Sequence, residues 1–148
     1  VLVLDRLRDP GNLGTLLRSA AGAGVHAVYL TAESVDPWNA KVVRAGMGAH
    51  FRLPLRTFDE GADHLRQTLS LRAATAANAP VAYDTVDWNQ PAAVIIGGEA
   101  EGVSPQLTAW ASEMVGIPLA AGVESLNAAV AGSVVLFEAA RQRRLSGA

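Results

Sequence analysis

The stretch at residues 117–144, IPLAAGVESLNAAVAGSVVLFEAARQRR, decides the reading of this chain, because an apolar strand end runs through a small-residue loop straight into a long helix. Ile117, Pro118 and Leu119 close the strand, and Ala120, Ala121 and Gly122 are small enough to let backbone run against a ligand. Ser125 reads as the N-cap of a helix reaching about residue 145, its hydroxyl accepting from free N–H groups of the first turn. Leu126, Val130, Val134 and Phe137 recur at helical spacing as the expected apolar face, and Ala128, Ala131, Gly132 and Ser133 leave room for close packing. Arg141, Arg143 and Arg144 fall in the last turns, where each cation complements the helix dipole by roughly 0.3–1 kcal/mol. Taken alone, the segment reads equally well as an ordinary buried C-terminal helix.

Working outward, 148 residues of which 50% are hydrophobic suffice for one domain with a substantial core, and leave no room for a second. The absence of cysteine excludes disulfides, thiolate catalysis and zinc fingers. There is no signal peptide and no apolar run long enough to span a bilayer, which predicts a cytoplasmic protein. The chain opens on Val1, already inside an apolar run, so a leader or preceding segment is expected to be missing. A net charge of −2 is not that of a free-standing nucleic-acid binder. Yet eleven of the twelve basic residues are arginine, whose planar fork takes two phosphate oxygens at once; a GC-rich genome would give the same bias.

In chain order, residues 1–4 read as a buried strand and 13–23 as a helix, with Asn12 as a simple N-cap and Gly24 as the stop. Residues 27–30 form a second strand, Asp36 and Pro37 cap a helix through residue 45, and 51–55 form a third strand. An amphipathic helix at 59–71 precedes a weak strand at 73–76, and 78–91 reads as a surface connection. Residues 94–96 form a strand ending in GGEAEG, followed by a helix at 106–112 and a short strand at 114–117. Strands alternating with helices predict an α/β fold, a mainly parallel sheet with helices on both faces.

Three loops follow strands, at residues 5–12, 97–104 and 119–125, and in an open α/β sheet ligands bind beyond the carboxyl ends of the strands. The GGEAEG loop lacks the GK[ST] of a phosphate cradle and the G-x-G-x-x-G of a dinucleotide fingerprint, and Glu99 and Glu101 would repel phosphate. It suits a neutral or cationic ligand, such as a sulfonium or an amine, or else a structural turn with solvated glutamates. Arg18 lies among Leu16, Leu17, Ala20 and Ala21, so it is expected to be partly buried and to need an anion: Glu99, or an RNA phosphate. His26, His50 and His64 show no metal-ligand spacing and read as surface or strand-end residues, and no nucleophile elbow is present.

Together, DPGNLGTLLRSAAGAG (residues 9–24), VIIGGEAEGVSP (94–105) and IPLAAGVESLNAAVAGSVVLFEA (117–139) resemble, in order, the three motifs of the SpoU (TrmH-like) branch of the SPOUT RNA methyltransferases. KVVRAGMGAHFRLPL (41–55) is similar to that family's middle segment. The resemblance implies a C-terminal deep trefoil knot, an exception to the unknotted rule, and an obligate homodimer. It also implies bound S-adenosylmethionine, no metal, and methyl transfer to a ribose 2′-hydroxyl of rRNA or tRNA. By position, Gly97, Gly98, Ile117, Leu119, Leu126 and Asn127 match the cofactor pocket; Asn12, Arg18, Glu99, Ser125 and Asn127 match the polar catalytic positions. Guanidinium rarely gives up its proton, so Arg18 is expected to orient the target phosphate and stabilise the developing alkoxide, while Ser125 and Asn127 order the loop and the target ribose. Departures are mild: Gly98 stands where many members carry a polar residue, and Asn127 is followed by Ala128 and Ala129. Many relatives carry an N-terminal RNA-binding extension, which this chain is expected to lack. The rivals are a catalytically inactive knotted dimer that binds RNA or cofactor, and a Rossmann-like oxidoreductase, disfavoured by the missing fingerprint.

Overall fold

Along the chain short apolar runs alternate with helical segments, and in the computed structural model, which describes residues 1–147, every strand pair is parallel. The strands are β1 (Leu2–Asp5), β2 (Val28–Leu30), β3 (Leu55–Thr57), β4 (Leu71–Thr75), β5 (Val81–Ala82), β6 (Ala92–Gly97) and β7 (Glu113–Gly116). The helices are α1 (Pro10–Gly22), α2 (Ala40–Gly46), α3 (Phe58–Thr68), α4 (Pro105–Trp110) and α5 (Ala128–Ser146). Strand order is β3-β2-β1-β6-β4-β7-β5. Asp5 pairs with Gly97, and Thr75 with Val115, so the carboxyl ends of the central strands form one edge, and the loops at residues 5–12, 97–104 and 117–127 all leave from it.

Side chains on neighbouring strand positions point to opposite faces, which divides the core in two. Leu2, Leu4, Val94 and Ile96 pack with Leu13, Leu16 and Leu17 of α1 and with Val135 and Leu136 of α5. Val3, Ala74, Ala93 and Ile95 pack on the other side with Phe58, Leu65, Leu107 and Trp110. A wholly buried leucine contributes roughly 1.5–3 kcal/mol, so the sheet's two apolar faces, rather than its polar groups, hold the layers together.

Several expected elements change on inspection. Helix α1 begins at Pro10, with Asp9 as its N-cap, and not at Asn12: Asp9 Oδ1 accepts from Asn12 N at 2.7 Å, and proline fits the first turn because it has no N–H to leave unpaired. Asn39, not Asp36, caps α2; Asp36 Oδ1 instead accepts from Trp38 N in a turn ahead of the helix. The strand expected at 51–55 starts only at Leu55, because Met47 and Gly48 both adopt left-handed backbone and turn the chain into a short 3-10 segment, Ala49–Phe51. The weak strand is β4, which lies between β6 and β7; its Ala73 and Ala74 are wholly buried in opposite cores. Residues 78–91 run largely at the surface as expected but are more than a connection, since they hold β5 and a Trp88 of 0% exposure whose Nε1 donates to Tyr83 O at 2.8 Å. His50 is likewise buried, its Nε2 2.6 Å from Pro37 O, whereas His26 and His64 are exposed as expected.

Helix α5 departs furthest. Its N-cap is Asn127, not Ser125, and its inward face is the small one: Ala128, Ala129, Gly132, Val135, Leu136 and Ala139 are buried, while Val130 and Phe137 are half exposed. A Cβ on Gly132 would meet Leu16 Cδ2 and Ile96, so at that turn α5 lies too close to α1 and β6 for any side chain to face inward.

Candidate active site

The site is built where three loops leave one edge of the sheet. Gly97 ends β6 beside Asp5, and a Cβ on Gly97 would overlap the backbone of Gly102 and Val103, so glycine is required for the loop to fold back over its strand. Gly98 and Gly102 bridge, with Gly102 N donating to Gly98 O at 2.9 Å, and Gly102 takes a left-handed φ of +64°. From β1, the buried Asp5 accepts from Ser104 N at 2.6 Å, and the Arg6 guanidinium binds Glu101 at 2.6 Å and Gly102 O at 3.4 Å. The second acidic residue of GGEAEG, Glu101, therefore clamps its own loop from the exposed side.

Glu99 has a different set of neighbours. Its Oε1 accepts from Asn12 Nδ2 and, at 2.7 Å, from Asn127 Nδ2, and Asn127 Nδ2 also lies 3.1 Å from Asn12 Oδ1. Asn127 serves two purposes at once, because its Oδ1 accepts from Ala129 N at 2.9 Å and Val130 N at 3.1 Å to cap α5. One side chain from each loop thus joins a single polar cluster, and Glu99 Oε2 makes no hydrogen bond among the described residues.

Two cavities flank the cluster and share Gly98, Glu99 and Gly102 as a common wall. The first is lined by Ile96, Gly97, Ile117, Leu119, Ser125 and Leu126, closed behind by Val115 and Val135. The second is lined by Arg6, Leu7, Arg8, Asp9 and Asn12. Apolar walls with a carboxylate at the rim suit a ligand with a flat apolar ring and a cationic or neutral centre, and the steric requirement for glycine at Gly97 keeps backbone against it. Among the described residues, no group of His, Asp and Glu comes together to hold a metal ion.

Of the sequence-predicted residues, Asn12, Glu99 and Asn127 are brought together, and Gly97, Gly98, Ile117, Leu119, Ser125 and Leu126 line the adjoining cavity. Ser125 is exposed and makes no hydrogen bond among the described residues. Arg18 is not covered and does not reach Glu99. It lies on the outer side of α1, next to the buried Leu16, Leu17 and Ala20, and lines a separate hollow with Met47 and Arg52. The misreading came from treating a run of small and apolar neighbours as enclosure, when residue 18 falls about 100° round the helix from residue 17. Asp5, Arg6, Asp9 and Ser104 escaped the sequence reading; an Asp directly before Pro10 at a helix start was the signal available for Asp9.

Comparison with known proteins identifies the family. The model of the SpoU rRNA Methylase family matches residues 1–137. An uncharacterized tRNA/rRNA methyltransferase of Synechocystis sp. is 41% identical over 96% of this chain and 53% of its own length. The 23S rRNA (guanosine(2553)-2′-O)-methyltransferase RlmP of Bacillus subtilis is 34% identical over 93% of the chain and 56% of its own length. The chain spans about half the length of these curated relatives. Among solved structures, the SpoU methyltransferase AviRb of Streptomyces viridochromogenes, in complex with the cofactor AdoMet, superposes with a TM-score of 0.91 at 32% identity, over 99% of this chain and 60% of that one. With a parallel sheet, three loops meeting at Glu99 and a family match across nearly its whole length, the chain belongs to the SpoU rRNA methylase family.

Proposed function

We propose that this chain is the catalytic domain of an S-adenosylmethionine-dependent RNA methyltransferase that modifies a ribose 2′-hydroxyl of rRNA or tRNA. The observation that carries the reading is the Asn12–Glu99–Asn127 cluster, standing between an apolar cavity and a polar one. S-adenosylmethionine, when bound, supplies an electrophilic methyl on a sulfonium. Ile117, Leu119 and Leu126 would hold its apolar portion, and the carboxylate of Glu99 stands on the shared wall where the positive centre and the ribose would meet. Glu99 Oε2 is free to accept from the attacking hydroxyl, and the two asparagine amides fix the carboxylate's rotamer before substrate arrives. Such prior orientation contributes much of the rate in a transfer whose reactants need only alignment, with about 7–11 kcal/mol available from it.

Arg18 then acts in a second copy of the chain. It is exposed in a hollow shared with Gly22 and Met47, and Gly22 lies against Phe137; Met47 and Phe137 are 70 and 51% exposed, and Val130, two turns before Phe137 on α5, is 49% exposed. Apolar residues gathered on one side of a protein mark an interaction surface. We assign this face to a homodimer in which Arg18 reaches the partner's ribose site, where it binds the target phosphate and stabilises the developing alkoxide. The trefoil knot belongs to the same proposal, with the loop at residues 117–127 as the threaded segment.

The test is methyl transfer from labelled S-adenosylmethionine to total rRNA and tRNA, followed by digestion to nucleosides. Label on ribose supports the reading. Label confined to bases, or none with cofactor bound, overturns it and favours an inactive RNA-binding module.

A further inference from the structure

A cavity of about 900 Å³ lies away from the Glu99 cluster, at the carboxyl ends of β2 and β3. Its lining includes Thr31, Asp36, Trp38, Arg56, Glu60 and His64. Trp38 is the one tryptophan that is not buried: it is 60% exposed, against 0% for Trp88 and 6% for Trp110. Nor is it a loose surface residue. Its backbone N–H donates to Asp36 Oδ1 at 2.9 Å, which fixes the turn that carries it, and its ring packs 5.0 Å from the ring of the buried His50, whose Nε2 lies 2.6 Å from Pro37 O. An aromatic ring held in place with one side open is a stacking surface awaiting a second ring.

Its position supplies the partner. Along the sheet edge the order is β3, β2, β1, β6, so this cavity, the polar cavity beside Asn12 and the apolar cavity beyond β6 form one row. Strands lie about 4.8 Å apart, which puts the β2 and β6 ends about 10 Å from each other, on the order of one to two nucleotides of an extended strand. The walls between the cavities are joined: Arg6 N donates to Thr31 Oγ1 at 2.9 Å, Val35 N to Leu7 O at 2.9 Å, and the Arg6 side chain holds Glu101 and Gly102. Arg8, exposed and without a partner among the described residues, lines the middle cavity, where the backbone of a strand crossing it would pass.

We propose that this cavity is a binding site for an unpaired nucleobase of the RNA substrate, a neighbour of the target nucleotide, stacked on Trp38. Arg56 and His64 supply donors and Glu60 an acceptor for its edge. A neutral base, unlike a phosphate, tolerates the carboxylates of Asp36 and Glu60 in the same cavity. The site selects RNA whose target lies in a single-stranded segment, because a base held in a duplex has no free face to offer. This inference rests on the reading of the chain as an RNA methyltransferase.

The test is tryptophan fluorescence of the purified chain titrated with an unstructured oligoribonucleotide, without cofactor, beside steady-state methylation. With Trp88 and Trp110 buried, stacking quenches Trp38 saturably, and the quenched component is absent from Trp38→Ala. In methylation, Trp38→Ala raises the KM for RNA about tenfold or more with kcat retained, and Trp38→Phe restores most of the loss, as expected for stacking one base. Unquenched fluorescence at saturating RNA, or a Trp38→Ala variant with wild-type KM, overturns the site. Quenching without any methyl transfer would sink the enzymatic reading alone and leave the nucleobase site standing.

Discussion

Asn127 shows how much one residue is asked to do. Its carbonyl oxygen caps α5 and its amide nitrogen binds Glu99, so the two duties can be separated by substitution. Asn127→Ala loses both: thermal denaturation should show a stability lower by about 0.5–2 kcal/mol, typical of a lost N-cap, together with loss of methyl transfer. Asn127→Asp keeps an acceptor for the cap but sets a second carboxylate beside Glu99. Its stability should stay near wild type while transfer falls on the order of a hundredfold, the usual cost of losing one preorganised donor. Equal loss of stability in both variants would contradict this division. The residue scale is also where the sequence spoke most clearly. Asn12, Glu99 and Asn127 were singled out by their places in the three motifs that resemble the SpoU family, since from its own surroundings Asn12 reads as a simple helix cap and Glu99 equally as a solvated turn residue. What could not be read was which carboxylate does what, since Glu101 and Glu99 differ only in having Arg6 or two asparagine amides as neighbours.

At the scale of elements, the strands and helices were legible from periodicity, and their ends and orientations were not. The expected apolar face of α5 was inverted because hydrophobic spacing cannot report how closely a helix approaches its neighbours. Gly132 against Leu16 and Ile96 decides it. Gly132→Val should push α5 away from α1 and destabilise the fold by roughly 1–3 kcal/mol, measured by chemical denaturation; Ala131→Val, on the half-exposed side, should cost less. Residues 78–91 were read only in part for a related reason: nothing in the local pattern reveals that Gln142 and Arg143, more than fifty positions away, bind the backbone of Trp88 at 2.9 Å each. Gln142 is held in turn by Glu138, whose carboxyl is brought down from 4.5 to about 2 by hydrogen bonds from Arg141 and then Gln142. A carboxyl lowered on folding adds stability above its unfolded pKa and loses it as the folded one is crossed. Glu138→Gln should therefore be less stable than wild type at neutral pH, with the difference closing between about pH 4.5 and 2. A gap that persists below pH 2 would show that the effect is packing.

The whole molecule brings together what the chain keeps apart. Its fold class and three-loop site followed from strand–helix alternation, but Arg18 shows where a single chain stops being informative: a residue read as covered is exposed, in a hollow with Met47 and with Gly22, which lies against Phe137. Phe137→Asp should convert a dimer into monomers by sedimentation and abolish transfer if Arg18 works across the interface. Co-expressed Arg18→Ala and Asn127→Ala chains, each inactive alone, should regain activity in the mixed dimer, which carries one intact composite site; no recovery would place Arg18 outside the reaction. No helix among the described residues is long and apolar enough to cross a membrane.

The central claim is that three loops on one sheet edge form a pocket for S-adenosylmethionine, and calorimetric titration of the purified chain with that cofactor tests it most directly. Saturable binding is expected, retained in Arg18→Ala and lost in Gly97→Leu, whose side chain cannot fit beneath Gly102 and Val103. A folded wild-type chain that takes up no cofactor, or a Gly97→Leu variant that binds as well as wild type, would contradict it.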